Sequence, residues 1–188
     1  MDMIWILVGV TLVLYIWYTR IVGRKNSALE ALSGIDVQLK KRSNLIPNIL
    51  TIAKRFMEHE KELLSAVTQL RTQTDNEYDT RDPLAVSEHL KSANALSGQM
   101  GRLMVSMEAY PELKSDQTML QAQQTYNEVE AQISAARRFY NSSVTELNNS
   151  IEIFPGNLLA GFANAKVMPF YETDEVSKAP IDASTYLD

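Results

Sequence analysis

The sequence predicts an all-α protein, in which a single N-terminal transmembrane helix precedes an elongated antiparallel bundle of three long helices and a short C-terminal one. Three observations predict it. Residues 3–19, MIWILVGVTLVLYIWYT, carry no charge. Between Arg24 and Phe154 there are only three glycines and three prolines, with no Asn-Gly or Asp-Gly hairpin signal. From Met119 to Phe154 an apolar stripe advances ten steps over 35 residues, 3.5 per step, the period of left-handed helix bundles.

The uncharged run of 17 residues is at the lower limit for a bilayer span, and Ile21 and Val22 extend it when the Arg20 side chain snorkels. Trp5 lies near one end and Tyr15, Trp17 and Tyr18 near the other, as interfacial belts require. The run reads as an uncleaved anchor. A signal peptide needs a basic start and a small-residue cleavage site, whereas Met1-Asp2 precedes this run and large or charged residues follow it. Arg20, Arg24 and Lys25 flank the C-terminal side and only Asp2 the other, which predicts the N-terminus outside and the bundle in the cytoplasm.

Behind the anchor, Leu32, Ile35, Leu39, Ile46, Ile49, Ala53, Phe56, Leu63, Val67 and Leu70 form a helical stripe, predicting one helix over about 27–73. It passes Pro47, where a kink is expected; a hairpin there is the alternative, but no glycine or polar cluster marks a turn. Asp82-Pro83 is an N-cap followed by proline at the first helical position, and Val86, Leu90, Ala93, Ser97, Met100, Met104 and Met107 make the stripe of a helix over 83–108. The third helix spans about 114–153, with Met119, Ala122, Tyr126, Val129, Ile133, Ala136, Tyr140, Val144, Leu147 and Ile151 on its stripe. Phe154-Pro155-Gly156 breaks the pattern, and the apolar stretch Leu158–Tyr171 predicts a short fourth helix. The expected division is an anchor over 1–22, a bundle over 23–172 and an acidic, loose tail over 173–188.

Composition removes several function classes. A chain of 188 residues with no cysteine and two histidines, at a net charge of −5, has no disulfide framework, no cysteine-ligated metal and no basic surface for nucleic acid. Glu58-His59-Glu60-Lys61-Glu62 lacks the second histidine of a zincin helix and reads as a solvated charged face. His89 is alone on its helix, and no Ser-His-Asp or Cys-His set is spaced for nucleophilic catalysis. Neither a catalytic residue nor a cofactor is therefore expected. Met100, Met104 and Met107 read as adaptable core filling, with a promiscuous peptide groove as the alternative, and Gly98 and Gly101 as points of close helix approach or local bending.

Several stretches resemble the LemA family of bacterial membrane-anchored helical proteins. They are residues 35–42 (IDVQLKKR), Leu45-Ile46-Pro47-Asn48, His59-Glu60-Lys61-Glu62, Tyr110-Pro111-Glu112-Leu113-Lys114 and residues 136–141 (ARRFYN). Asn148, Phe154-Pro155 and Phe170-Tyr171-Glu172 fit the same pattern, while Ser43 and Phe139 depart from it. The resemblance implies a helical bundle behind one membrane helix, placed at the bacterial inner membrane, with no established catalytic activity. It also implies association with a membrane metalloprotease of the HtpX type or with envelope stress, and a related protein that serves organelle formation in magnetic bacteria.

The polar residues of these stretches, Asp36, Gln38, Arg42, Asn48, Arg137, Arg138, Asn141 and Asn148, are expected to form an interhelical seam, with Asp36 paired to Arg137 or Arg138. Helix lengths of about 70, 38 and 60 Å make the third helix overshoot the first by roughly 20 Å, far from the membrane. Leu147, Ile151, Phe154, Leu158, Leu159, Phe162, Phe170 and Tyr171 would then form a contact between copies. A hairpin at Pro47 would invert that parity and return the segment to the membrane. The expected function is a non-catalytic, self-associating membrane scaffold that recruits or regulates envelope proteins. A membrane-shaping oligomer is the first alternative and a metal-dependent hydrolase at Glu58–Glu62 the second.

Overall fold

A computed structural model of the chain describes residues 2–172, so the acidic tail lies outside the described residues. The elements are α1 (Asp2–Ala53), α2 (Lys61–Thr74), α3 (Pro83–Met107), α4 (Pro111–Ser115), α5 (Gln117–Glu152) and α6 (Gly156–Leu159), and no strand occurs among the described residues. α1 is one helix of 52 residues, running through Pro47 without a break. Its first half is exposed and apolar, long enough to cross a bilayer; its second half is the spine of the bundle.

The helix expected over 27–73 is two helices. After Ala53 the chain turns through residues 54–60, closed by bonds from Arg55 N to Ile52 O, Phe56 N to Ala53 O and Glu60 N to Met57 O. The fully buried Met57 fills the inside of this turn. α2 then returns alongside α1. Arg71 Nε donates to Ser43 O at 2.9 Å, Ser43 Oγ donates to Asp75 Oδ2 at 2.8 Å, and Lys40 Nζ lies 3.2 Å from Asp75 Oδ1. The Tyr78 hydroxyl continues the descent by donating to Asp36 at 3.0 Å.

α3 heads outward again, its start set by Asp82, whose carboxylate accepts from Leu84 N, and by Pro83 at the first position. Asp116 caps α5 by accepting from Met119 N at 2.9 Å, and α5 packs along α1 all the way back. The extra reversal at 54–60 inverts the expected parity. Glu146 pairs with Arg24, so α5 ends beside the anchor and nothing overshoots at the far end.

Two apolar clusters fill the bundle. The anchor-side cluster joins Leu32, Ile35 and Leu39 to Val86, Leu90, Ile133, Tyr140, Val144 and Leu147. The distal cluster joins Ile46, Ile49, Ala53 and Met57 to Val67, Leu96, Met100, Leu103, Met107 and Met119. On α3, Leu96 and Leu103 take the buried places expected for Ser97 and Met104, which are half-buried; Met100 and Met107 are core. Gly98 and Gly101 make no close helix approach, because a methyl group added at either would meet nothing within 4 Å. Gly98→Ala and Gly101→Ala should therefore each raise unfolding stability by about 1 kcal/mol, measured by denaturant titration.

Candidate functional site

Arg42 lies between Leu39 of one apolar cluster and Ile46 of the other, so the two cores meet at a guanidinium. It is 1% exposed. Nη1 donates to Glu130 Oε1 of α5 at 3.1 Å and Nη2 to the Ala93 carbonyl of α3 at 2.9 Å. Glu130 Oε2 accepts from Ser97 Oγ at 3.3 Å, closing a layer that links α1, α3 and α5. Such a layer sets axial register, because sliding any helix by one turn strands the charge in an apolar block. Gln38 Oε1 and Arg42 Nε, one turn apart on α1, are buried without hydrogen-bond partners.

Asp36 does not pair with either arginine of α5. It accepts from Tyr78, whose ring stacks on His89 with centroids 4.0 Å apart, and His89 Nε2 lies 3.3 Å from Asp36 Oδ1. The reversal at 54–60 brings the residue-78 loop to this height and so takes the place expected for an arginine. Burial pushes the Tyr78 phenol far above its usual range, and the Asp36 carboxylate adds to the shift.

The segment after α6 is a strap. Residues expected to be a fourth helix form only the four-residue α6; a turn to Asn164, at positive φ, then leads into a non-helical run from Ala165 to Glu172. Gly156 makes the close approach at the start of α6, where an added methyl would fall 1.9 Å from Ser150 O. Pro169 supplies no N–H, and two asparagines one heptad apart hold the strap to α5. Asn148 donates to Met168 O at 3.0 Å and accepts from Met168 N at 2.9 Å. Asn141 donates to Tyr171 O at 3.0 Å and accepts from Tyr171 N at 2.8 Å. Tyr140 donates to Pro169 O, and Asn94 donates to Glu172 O.

Of the expected seam residues, Asp36, Arg42, Asn141 and Asn148 thus make interhelical or strap contacts, and Gln38 is half-buried. Arg137 is half-buried, its guanidinium 4.2 Å over the Tyr171 ring and Nη2 reaching Asn94 Oδ1 at 3.4 Å. Asn48 and Arg138 are exposed; Arg138 reaches Ser134 one turn away. Arg138→Ala should change thermal unfolding stability by less than about 0.5 kcal/mol, and Arg137→Ala should cost about 1–2 kcal/mol through lost stacking and stem packing.

Of the expected contact residues between copies, Leu147, Ile151 and Tyr171 are buried in this chain's own core and Leu159 is half-buried. Phe154, Leu158, Phe162 and Phe170 are exposed. Reasoning from sequence misses Glu130, Tyr78 and Asp75 and gives His89 no role. Glu58 and His59 are exposed at the distal turn, beside clefts lined by Lys54, Lys61 and Ser65 on one side and Arg55, Tyr110 and Glu112 on the other. No group of three or more metal-ligating residues occurs among the described residues.

An apolar helix long enough to cross a bilayer, continued without a break into an antiparallel bundle closed by a charged layer and an asparagine-held strap, defines a class of helical-bundle proteins with one candidate membrane helix. The LemA family model matches residues 31–183, and the chain belongs to the LemA family. It is similar to Protein LemA of Metamycoplasma hominis, 27% identical over 177 residues, which cover 90% of this chain and 78% of the relative. It is also similar to Magnetosome protein MamQ of Magnetospirillum gryphiswaldense, 25% identical over 87% of this chain and 68% of the relative. Magnetosome protein MamQ 2 of Paramagnetospirillum magneticum is 24% identical over 79% of this chain and 62% of its own length, so the chain spans under two thirds of that relative.

Proposed function

We propose that this chain is a non-catalytic scaffold of the bacterial inner membrane, held by the apolar half of α1 with its bundle on the cytoplasmic side. There it self-associates and recruits or regulates envelope proteins, with a membrane metalloprotease of the HtpX type as the first partner to try. One observation carries the reading: α1 is uninterrupted from the anchor to the distal turn. The 33 steps from Arg20 to Ala53 make a post about 50 Å tall, stiffened along its length by α5. Such a post holds its distal clefts at a fixed height above the bilayer. Of the seam residues, Asp36, Arg42, Arg137, Asn141 and Asn148 are engaged in joining helices or holding the strap, which supports a structural role for these five over a chemical one.

The chain has no cysteine, so single ones can be placed for cross-linking. With Ser65→Cys at the distal cleft and Phe170→Cys on the side of the bundle, a short bifunctional maleimide in native membranes should give discrete adducts, a dimer among them. A chain that gives no adduct at either position and stays monomeric in detergent overturns the scaffold, as does a stoichiometric transition metal in the purified protein. For topology, protease added outside intact cells should leave the bundle uncut; its digestion refutes cytoplasmic placement.

A further inference from the structure

The register of α5 against α1 is fixed at two places. Arg42 pairs with Glu130 and Arg24 with Glu146, a separation of 18 residues on α1 and 16 on α5. The helices are antiparallel, so the six residues from Glu146 to Glu152 carry α5 a further 9 Å or so toward the anchor. That brings its last turn level with about residue 18, with Phe154 in the turn just beyond the helix end. The apolar end of the bundle therefore reaches into the height of the span itself, past Arg20 and Lys25.

The beginning of the strap independently lies against the foot of the span, between the levels of Ile21 and Lys25. Lys25 Nζ donates to Ala163 O at 3.2 Å and to Asn164 O at 3.0 Å, α6 packs on α1, and Ile21 is fully buried. At this end Ile153, Phe154, Leu158 and Phe162 are all exposed, Phe154 by 71% and Phe162 by 82%. On the anchor, Leu14 and Tyr18 are each 37% exposed, less than Val13, Tyr15 and Ile16 around them. From Ile153 to Tyr171 there is no acid and one base, Lys166.

We propose that the 153–162 end of the bundle is a second membrane contact, in which Phe154, Leu158 and Phe162 insert into the headgroup–acyl boundary of the bilayer beside the anchor. The occupant is lipid and not a second copy, because the register puts the end of α5 level with a spanning α1, and the strap's start lies at the foot of that span, where headgroups surround it. A run free of acids also suits an anionic cytoplasmic leaflet, with Arg20 and Lys166 available to its phosphates. Two contacts fix what one cannot. A single helix leaves its bundle free to swivel and tilt, whereas a helix and a wedge on the same rigid body hold the post at one angle to the bilayer.

The proposal rests on the anchor reading, and its test separates the two. Full-length Phe162→Cys, labelled with a nitrobenzoxadiazole probe, is placed in phosphatidylcholine–phosphatidylglycerol vesicles containing shallow nitroxide lipids, with labelled Ser65→Cys as the distal control. Both positions are exposed, so labelling leaves the core intact. The expected result is blue-shifted emission at position 162, quenched by the nitroxide, with neither change at position 65. Trp5 and Trp17, the only tryptophans, report the anchor. If they are quenched while position 162 matches position 65, the wedge is refuted and the anchor stands. If the tryptophans are not quenched, the anchor reading falls and the wedge with it. A blue shift that nitroxide does not quench and that vanishes on dilution in lipid assigns the face to a second copy and overturns the lipid contact.

Discussion

Replacing Arg42 with alanine should lower the unfolding free energy by about 3–5 kcal/mol, the range for breaking a buried ion pair by removing one partner. The side chain is 1% exposed and holds both Glu130 and the Ala93 carbonyl, so alanine leaves the part-buried Glu130 carboxylate without its counter-charge, with the Ser97 hydroxyl still donating to it, and takes the side-chain donor from a helix carbonyl. Urea titration in detergent, followed by helical circular dichroism, reads the loss. The control is Arg42→Met with Glu130→Leu: with both charges gone the penalty of the stranded carboxylate goes too, and most of the loss should be recovered. If the double variant is as unstable as Arg42→Ala, the layer acts by packing and not by charge. If Arg42→Ala costs under about 1 kcal/mol, the guanidinium does not hold the register.

The layer is partly legible in the sequence. Arg42 sits three residues after Leu39 and four before Ile46, so it lies on the apolar stripe of α1, where a helix buries whatever occupies it. Glu130 falls between Tyr126 and Ile133, and His89 between Val86 and Ala93. Only Arg42 fills a skipped step of its stripe; Val129 and Leu90 already fill the steps beside Glu130 and His89, so those two stand at the stripe's edge and leave a weaker trace, and of the three only Arg42 lies in a family-like stretch. The pairing of Asp36 is not legible, because it depends on where the chain turns. The reversal at 54–60 contains neither glycine nor proline and buries Met57, so its one sequence trace is the skipped step from Phe56 to Leu63. That single turn decides whether α5 ends far from the membrane or against it. Helix existence follows from local periodicity, whereas helix direction depends on the number of turns, and one unmarked turn reverses everything after it.

Asn148 is where the strap is held most tightly, and Asn148→Ala should cost about 2–6 kcal/mol. Both of its hydrogen bonds go to the backbone of one buried residue, Met168, so alanine orphans an N–H and a C=O together, at roughly 1–3 kcal/mol each. The molecule has one way to reduce that penalty. The strap can lift from α5 so that Met168 meets water, at the cost of exposing Met168 and Tyr171 from the anchor-side core. The two responses are separable. Global destabilisation lowers the urea midpoint while the native fold still protects Lys166 from trypsin; lifting leaves a smaller shift but makes cleavage after Lys166 rapid under native conditions. Asn141→Ala makes the same two backbone bonds unavailable to Tyr171 in a half-buried place, where water can substitute, so its effect should be smaller in either measurement. An Asn148→Ala chain with unchanged midpoint and an uncut Lys166 would mean that the strap is held by Tyr140, Arg137 and the apolar contacts of Tyr171 alone.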